Sequence, residues 1–92
     1  MIRSFRHKGL QRFFTNGSTA GISPQHAQRL RLILGRLNAA SEPRDMGLPG
    51  LHLHPLSGAS KGRWSVRVSG NWRLTFEFSS PDALAVDYED YH

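Results

Sequence analysis

The last five residues of the chain, Tyr88 to His92, bring together side-chain types that can move protons. Histidine titrates more readily near neutral pH than any other side chain, and here it follows a carboxylate (Asp90) and a second phenol (Tyr91). Taken alone, such an ending is more often a frayed, solvated polar tail. A catalytic role for this segment therefore depends on which other reactive groups the fold places beside it.

Apolar and polar residues alternate through the second half of the chain, which is typical of antiparallel strands with one buried face. Leu51 to His54 alternates leucine with histidine, and Pro55 is predicted to end that strand. If Leu53 faces the core, His54 faces the open side of the sheet. The further predicted strands are Trp64 to Val68, Trp72 to Phe78 and Leu84 to Tyr88.

The central hairpin must pair apolar with apolar residues, because cross-strand neighbours share a face of the sheet. This favours a three-residue loop, Ser69 to Asn71, with Val68 opposite Trp72. The same register sets Arg67 opposite Arg73 on the open face. Two like charges in that position repel each other by about 0.2–1 kcal/mol, and an anion bound between them reverses the sign.

The open face is thus predicted to carry His54, Arg67 and Arg73, with the acidic and aromatic tail nearby. Each of these has an ordinary alternative, since a histidine or arginine on an exposed strand face is commonly just solvated. Their coincidence around one face favours an anion-handling site. Tyr91 lies outside the apolar pattern and is a candidate for stacking on a nucleobase, whereas the aromatic residues of the strands are predicted to be core.

Helical periodicity dominates the first half. After a short strand from Ile2 to Phe5, Lys8 to Phe14 predicts a helix that stops at Asn16-Gly17. Ser23-Pro24 marks the start of a second helix, with Ser23 as N-cap. This helix is predicted to bury one apolar stripe and to leave Leu32 exposed or covered by a partner; the stripe is Ala27, Leu30, Ile33, Leu34 and Leu37.

These elements predict an α+β fold: a short N-terminal strand and two helices, followed by an antiparallel meander packed against the helices, with one face of the sheet open. With 92 residues, the chain is expected to form a single domain spanning positions 1–92. It has no cysteine, which excludes disulfides and thiolate metal sites. No membrane span or signal peptide is evident, so a cytoplasmic protein is expected. No cofactor is predicted.

The positive charge is unevenly distributed. The net charge is +5, and residues 1–41 contain seven cations and no acid. Ten of the twelve cations are arginines, whose planar forks match phosphate geometry better than lysine does. A small basic domain of this kind favours a polyanionic partner such as RNA, DNA or an acidic protein segment.

Several motifs together resemble the HigB-type toxins of the RelE superfamily. They are the opening Ile2 to Leu10, the segment Leu53-His54-Pro55-Leu56, the run Gly62 to Val66, the strand Asn71 to Phe76, and the ending Tyr88 to His92. The resemblance spans the whole chain. It implies a ribosome-dependent mRNA endonuclease that is silenced by a HigA-type antitoxin with a helix-turn-helix domain.

The resemblance also implies site roles at matching positions: His54, Arg73, Asp90, Tyr91 and His92 would be catalytic. Metal-independent cleavage needs a base for the 2′-hydroxyl, cations for the phosphate and an acid for the 5′-oxygen. His54 and His92 are the predicted acid–base pair, in either order. Arg73 would hold the phosphate, Tyr91 would stack on a base, and Asp90 would orient His92 or the substrate. Further RNA contacts are expected from Arg67, Lys61, Arg12, Arg29 and Arg36.

One departure from the family pattern bears on activity. Family members often carry a lysine directly after the His-Pro-Leu segment, where this chain has Ser57; Lys61 is the nearest substitute. Three other functions therefore stay open. They are a gyrase poison of the same fold, as in ParE-type toxins, a non-enzymatic RNA-binding module, and a degenerate toxin that still binds antitoxin.

Overall fold

Two helices pack against one antiparallel sheet in the computed structural model, which describes residues 1–91. The helices are α1 (Lys8–Asn16) and α2 (Ala27–Ala39). The four strands lie in chain order in the sheet, each antiparallel to the next. They are β1 (His54–Pro55), β2 (Trp64–Ser69), β3 (Trp72–Ser79) and β4 (Asp82–Asp90). The α+β prediction is confirmed.

The N-terminal segment lies along β4. Ile2 and Phe5 make isolated parallel bridges to Ala83 and Val86, respectively, in place of a longer strand. Three 3₁₀ turns occupy the connections: Pro24–His26, Pro43–Met46 and Gly58–Ser60. Among residues 1–91, no helix is long and apolar enough to cross a membrane.

The core fills the space between the helices and one face of the sheet. Leu30, Leu34 and Leu37 of α2 are buried as predicted, and they belong to the same cluster as Leu74 and Phe76 of β3. Since buried apolar surface is the main stabilising term, this layer fixes which way each strand faces. Leu32 points away from it and is 61% exposed.

Helix α1 is defined by its two ends. The His7 Nδ1 atom accepts a hydrogen bond from the Leu10 N–H at 2.9 Å, which caps the first turn. Gly17 ends the helix at φ 80°, in the left-handed region that glycine tolerates. The predicted stop at Asn16-Gly17 is thus confirmed.

Ser23 is an N-cap residue as predicted, but it precedes a 3₁₀ turn rather than α2 itself. Its side chain makes no capping hydrogen bond, and its carbonyl instead accepts the His26 N–H at 2.9 Å. The 3₁₀ turn Pro24–His26 forms first, and α2 continues from Ala27. Proline at the first position of the turn suits this arrangement because its φ is already helical.

The hairpin between β2 and β3 also differs from the prediction. Arg67 does lie opposite Arg73, but Ser69 rather than Val68 lies opposite Trp72. The loop therefore has two residues and starts at Gly70, whose φ is 56°; two-residue loops of this kind match the natural twist of the strands. The extra residue becomes a bulge in β2, which keeps Val68 buried.

Strand β1 is shorter than predicted. His52 has a φ of 52°, in the left-handed region, which interrupts the alternation from Leu51. Pro55 ends the strand as predicted, and it is paired opposite Trp64 as the last residue of β1. Proline fits there because β1 is an edge strand and one side of it needs no N–H donor.

An ion pair joins the N-terminal segment to β4, so the stability of the fold should depend on pH. Arg3 Nε donates to Asp82 Oδ2 at 3.1 Å. This hydrogen bond holds the pKa of Asp82 below its ordinary 3.8, against the opposing effect of burial. A carboxyl whose pKa is lower in the folded than in the unfolded state stabilises the fold at pH values above the unfolded-state pKa. This stabilisation is lost as the pH falls through the folded-state pKa.

We therefore expect Asp82→Asn to lose part of the stability that the native chain gains between about pH 2 and pH 5. The measurement is the melting temperature of both proteins across that range. The two curves should converge toward the acid end and separate above it. A constant offset at every pH would show that Asp82 contributes through packing and not through its charge.

Candidate functional site

The sheet face turned away from the helices carries two rows of polar residues. Reading across the strands, one row is Arg67, Arg73 and Glu89, and the next is His54, Ser65, Thr75 and Asp87. The intervening residues of β2 and β3, such as Val66 and Leu74, point into the core. The predicted open face is therefore present, and it extends to two carboxylates of β4.

Arg67 and Arg73 lie opposite each other with no carboxylate paired to either guanidinium within residues 1–91. Arg73 Nη1 donates to the Gly70 carbonyl at 2.8 Å and to the Trp72 carbonyl at 3.2 Å. These bonds to neutral groups fix the direction of the side chain, and within residues 1–91 no ion pair ties its guanidinium to a carboxylate. Arg67 is exposed. The pair is suited to holding a phosphate.

A third arginine, Arg63, is buried on this face and was missed by the sequence prediction. Its guanidinium donates to Glu77 Oε2 at 3.0 Å, to Thr75 Oγ1 at 2.8 Å and to the Ala85 carbonyl at 2.8 Å. Thr75 in turn donates to Glu89 Oε2 at 2.5 Å. A continuous chain of hydrogen bonds thus links Arg63 to Glu89.

Tyr91 lies over the same face. Its N–H donates to the Asn71 carbonyl at 2.8 Å. This hydrogen bond continues the backbone pairing one residue past the end of β4. Burial raises the pKa of the phenol, and the charge of Glu89 raises it further, against an opposing influence of Arg63. The phenol is therefore protonated at neutral pH. With 37% exposure, Tyr91 offers both a hydroxyl donor and a ring surface to a ligand.

His54 lies at the opposite edge of the sheet from Tyr91. It is exposed, and its Nδ1 lies 3.0 Å from the His52 carbonyl. Its backbone is paired opposite Ser65. Because neighbouring strands are about 4.8 Å apart, β1 and β4 are separated by about 14 Å. The arginine pair lies between these two edges.

Asp90 is not brought together with His54, Arg73 and Tyr91. It lies opposite Trp72, and alternation along β4 puts its side chain on the helix-facing side with Tyr88. In agreement, the charge of Asp90 contributes to a raised pKa of Tyr88 after the larger effect of burial. His92, the other predicted proton-transfer residue of the tail, lies outside the described residues.

Tyr88 anchors the end of β4 rather than joining the site. It is 5% exposed, and its hydroxyl lies 2.5 Å from Nδ1 of His26, which is itself buried. Trp72 stacks on the Tyr88 ring with centroids 4.5 Å apart. This buried cluster of His26, Trp72 and Tyr88 holds the strand segment from which Glu89 and Tyr91 project. Sequence reasoning missed it because His26 and Tyr88 are far apart in the chain.

The remaining predicted RNA contacts are dispersed. Arg12 and Arg36 are exposed on α1 and α2, and Lys61 is exposed beside the Gly58–Ser60 turn. Arg29 is partly buried, and its Nη2 donates to the Gly50 carbonyl at 2.9 Å and to the Arg67 carbonyl at 3.3 Å. Arg29 therefore ties α2 to the sheet. It also lines a cavity of about 370 Å³ together with Arg67.

The fold and this face define a class: a small α+β protein whose open sheet surface presents arginines, carboxylates and a tyrosine. A sequence model of the family described as the RelE-like toxin of type II toxin–antitoxin system HigB matches residues 3–92. The chain belongs to this family, and the resemblance seen in its motifs is confirmed. As a type II toxin, it has an antitoxin as its partner.

A curated relative gives the family a more specific activity. The protein named Endoribonuclease HigB from Proteus vulgaris is 42% identical over 92 residues, which cover 100% of both chains. The expectation of an endoribonuclease toxin agrees with that name. Within residues 1–91, no three His, Asp or Glu side chains are grouped as metal ligands.

Proposed function

We propose that this protein is an endoribonuclease toxin that cleaves mRNA on the ribosome. The observation that supports this most strongly is the pair of facing arginines, Arg67 and Arg73, without a carboxylate partner in residues 1–91. Opposed cations on a sheet are unfavourable until an anion joins them. A scissile phosphate is such an anion, and Tyr91 lies near enough to stack on an adjoining base.

Cleavage proceeds by attack of the ribose 2′-oxygen on the neighbouring phosphorus. Arg73, with Arg67, stabilises the charge that builds up on the phosphate oxygens. His54 and His92 move protons to and from the reacting oxygens, and Asp90 orients His92 or the substrate. The products are a 2′,3′-cyclic phosphate and a 5′-hydroxyl, formed without a metal ion.

The proposed partners follow from this activity. The antitoxin is of the HigA type, with a helix-turn-helix domain, and the ribosome supplies the mRNA in the cytoplasm. Lys61 is exposed in the connection that follows Ser57, and it supplies a cation for phosphate where other family members often carry a lysine after the His-Pro-Leu segment. The whole of positions 1–92 acts as one toxin domain.

Induction in cells distinguishes this function from gyrase poisoning and from binding without cleavage. Wild-type protein should arrest growth and produce new 5′ ends within translated transcripts. His54→Ala should reduce those ends by about 10²–10⁴-fold, the usual contribution of a proton-transfer residue. Growth arrest without new transcript ends, or with DNA breaks instead, would contradict the proposal.

The exposed cations of the helices give a separate prediction about ribosome binding. Arg12 and Arg36 are proposed to contact ribosomal RNA phosphates, which position a protein without reading sequence. Replacing both with glutamine should weaken ribosome binding and reduce the slope of log affinity against log salt by about two. An unchanged slope in a salt titration would show that these side chains are only solvated.

A further inference from the structure

Among residues 1–91, Glu89 is a carboxylate of the open face that is held by a buried side chain and projects from the strand position directly opposite Arg73. We propose that Glu89, positioned by Arg63 through Thr75, accepts the proton of the attacking RNA 2′-hydroxyl. This proposal rests on the proposed endoribonuclease activity and assigns the acceptor role within it. His54, at the far edge of the sheet, then supplies the proton for the leaving oxygen, and Glu89 takes the acceptor role in place of His92.

The support for Glu89 is buried and continuous. Arg63 is 6% exposed and Thr75 is fully buried. The Thr75 hydroxyl accepts from Arg63 at 2.8 Å, so its own proton is directed to Glu89, 2.5 Å away. Because a hydroxyl has a single proton to donate, the guanidinium decides which way Thr75 donates. Glu89 itself is only partly buried, so an RNA hydroxyl can approach it.

The other two carboxylates of this face are engaged elsewhere. Glu77 is paired with Arg63 at 3.0 Å and with Arg6 at 3.7 Å. Asp87 turns back to its own strand, where its Oδ1 accepts the Tyr88 N–H at 2.9 Å. Glu89 is bonded to a neutral hydroxyl and is therefore the best-placed proton acceptor of the three.

The register puts Glu89 in the same row as the two arginines, and His54 in the neighbouring row. Glu89 lies directly opposite Arg73, and Arg73 lies directly opposite Arg67. A phosphate held over the two arginines has Glu89 on its β4 side and His54 on its β1 side. In-line displacement requires the attacking and leaving oxygens on opposite sides of phosphorus, which this order provides.

The reaction balances with these groups. The Glu89 carboxylate takes the 2′-hydroxyl proton, and the 2′-oxygen forms a bond to phosphorus. The bond from phosphorus to the 5′-oxygen breaks, and protonated His54 gives its proton to that oxygen. Exchange with water then returns the proton from Glu89 and reprotonates His54, so the enzyme is regenerated without another reactant.

The test measures single-turnover cleavage of ribosome-bound mRNA against pH. Glu89→Gln should lower the rate by at least about 10²-fold, while Asp87→Asn, a matched carboxylate of the same face, should stay within about threefold of wild type. Thr75→Val removes the donor that stabilises the negative charge of Glu89, so the acid limb of the pH profile should move to higher pH. Thr75→Ser keeps the hydroxyl and should leave the limb in place.

Each other outcome counts against the proposal. A wild-type rate in Glu89→Gln would show that Glu89 is not the proton acceptor. An acid limb that stays in place in Thr75→Val but disappears in His92→Ala would assign the acceptor role to His92. Affinity for a 2′-deoxy RNA, together with melting temperature, separates misfolding from a chemical defect. Failure of the wild-type protein to cleave at all would overturn the proposed function and this assignment together.

Discussion

Arg73→Ala is expected to reduce RNA cleavage by about 10²–10³-fold, the loss typical of removing one donor to a developing anion. The guanidinium is fixed in direction by two backbone carbonyls, Gly70 and Trp72, so it is already oriented before substrate arrives. Because the guanidinium need not reorient when RNA binds, it is in place to stabilise the negative charge that builds up on the phosphate in the transition state.

The measurement is single-turnover cleavage at saturating ribosome-bound mRNA. Arg44→Ala is the matched control, because Arg44 is highly exposed and is paired on the surface with Glu42. It should cleave at the wild-type rate. Arg73→Lys should recover only part of the lost activity, because an ammonium cannot make the bidentate contact. Full activity in Arg73→Ala would remove the arginine pair from the mechanism.

The second large effect is expected on stability. Arg63→Met should lower the free energy of unfolding by about 2–3 kcal/mol, because it breaks hydrogen bonds to Glu77, Thr75 and the Ala85 carbonyl. Removing one partner of a fully buried ion pair costs more than this. Here Glu77 is 40% exposed, so water solvates it once it is unpaired.

Urea unfolding of both proteins provides the measurement, with Arg44→Met as the control for removing a surface arginine. The control should change the free energy of unfolding by less than about 0.5 kcal/mol. An equally small change in Arg63→Met would mean that the buried network contributes little to the fold. In that case its function would be confined to holding Glu89.

The sequence predicted the parts of the site that depend on strand periodicity. Alternation from Trp64 to Phe78 required Arg67 and Arg73 to share the open face, and the structure places them opposite each other. The same rule put His54 on that face. These predictions succeeded because a shift of one residue would have exposed the whole apolar face of the strand.

Other features of the site are not visible in the apolar pattern of the strands. In the sequence, Arg63 is a polar residue at the start of a strand, with no sign that it is buried. Its guanidinium is held by the Ala85 carbonyl, which lies in a bulge of β4 where Ala85 has a φ of 50°. Asp90 and Tyr91 are neighbours in the chain, but alternation along β4 separates their side chains. The Val68 bulge was missed because the apolar pattern alone does not distinguish a two-residue loop from a three-residue loop.

The central claim is that this sheet face cleaves RNA through the ribose 2′-hydroxyl. The most direct test is an mRNA with one 2′-deoxy sugar at a mapped cut site, presented on the ribosome to the wild-type protein. Binding should persist, and cleavage at that site should fall below detection while neighbouring sites are still cut. Undiminished cleavage at the deoxy site would contradict the mechanism.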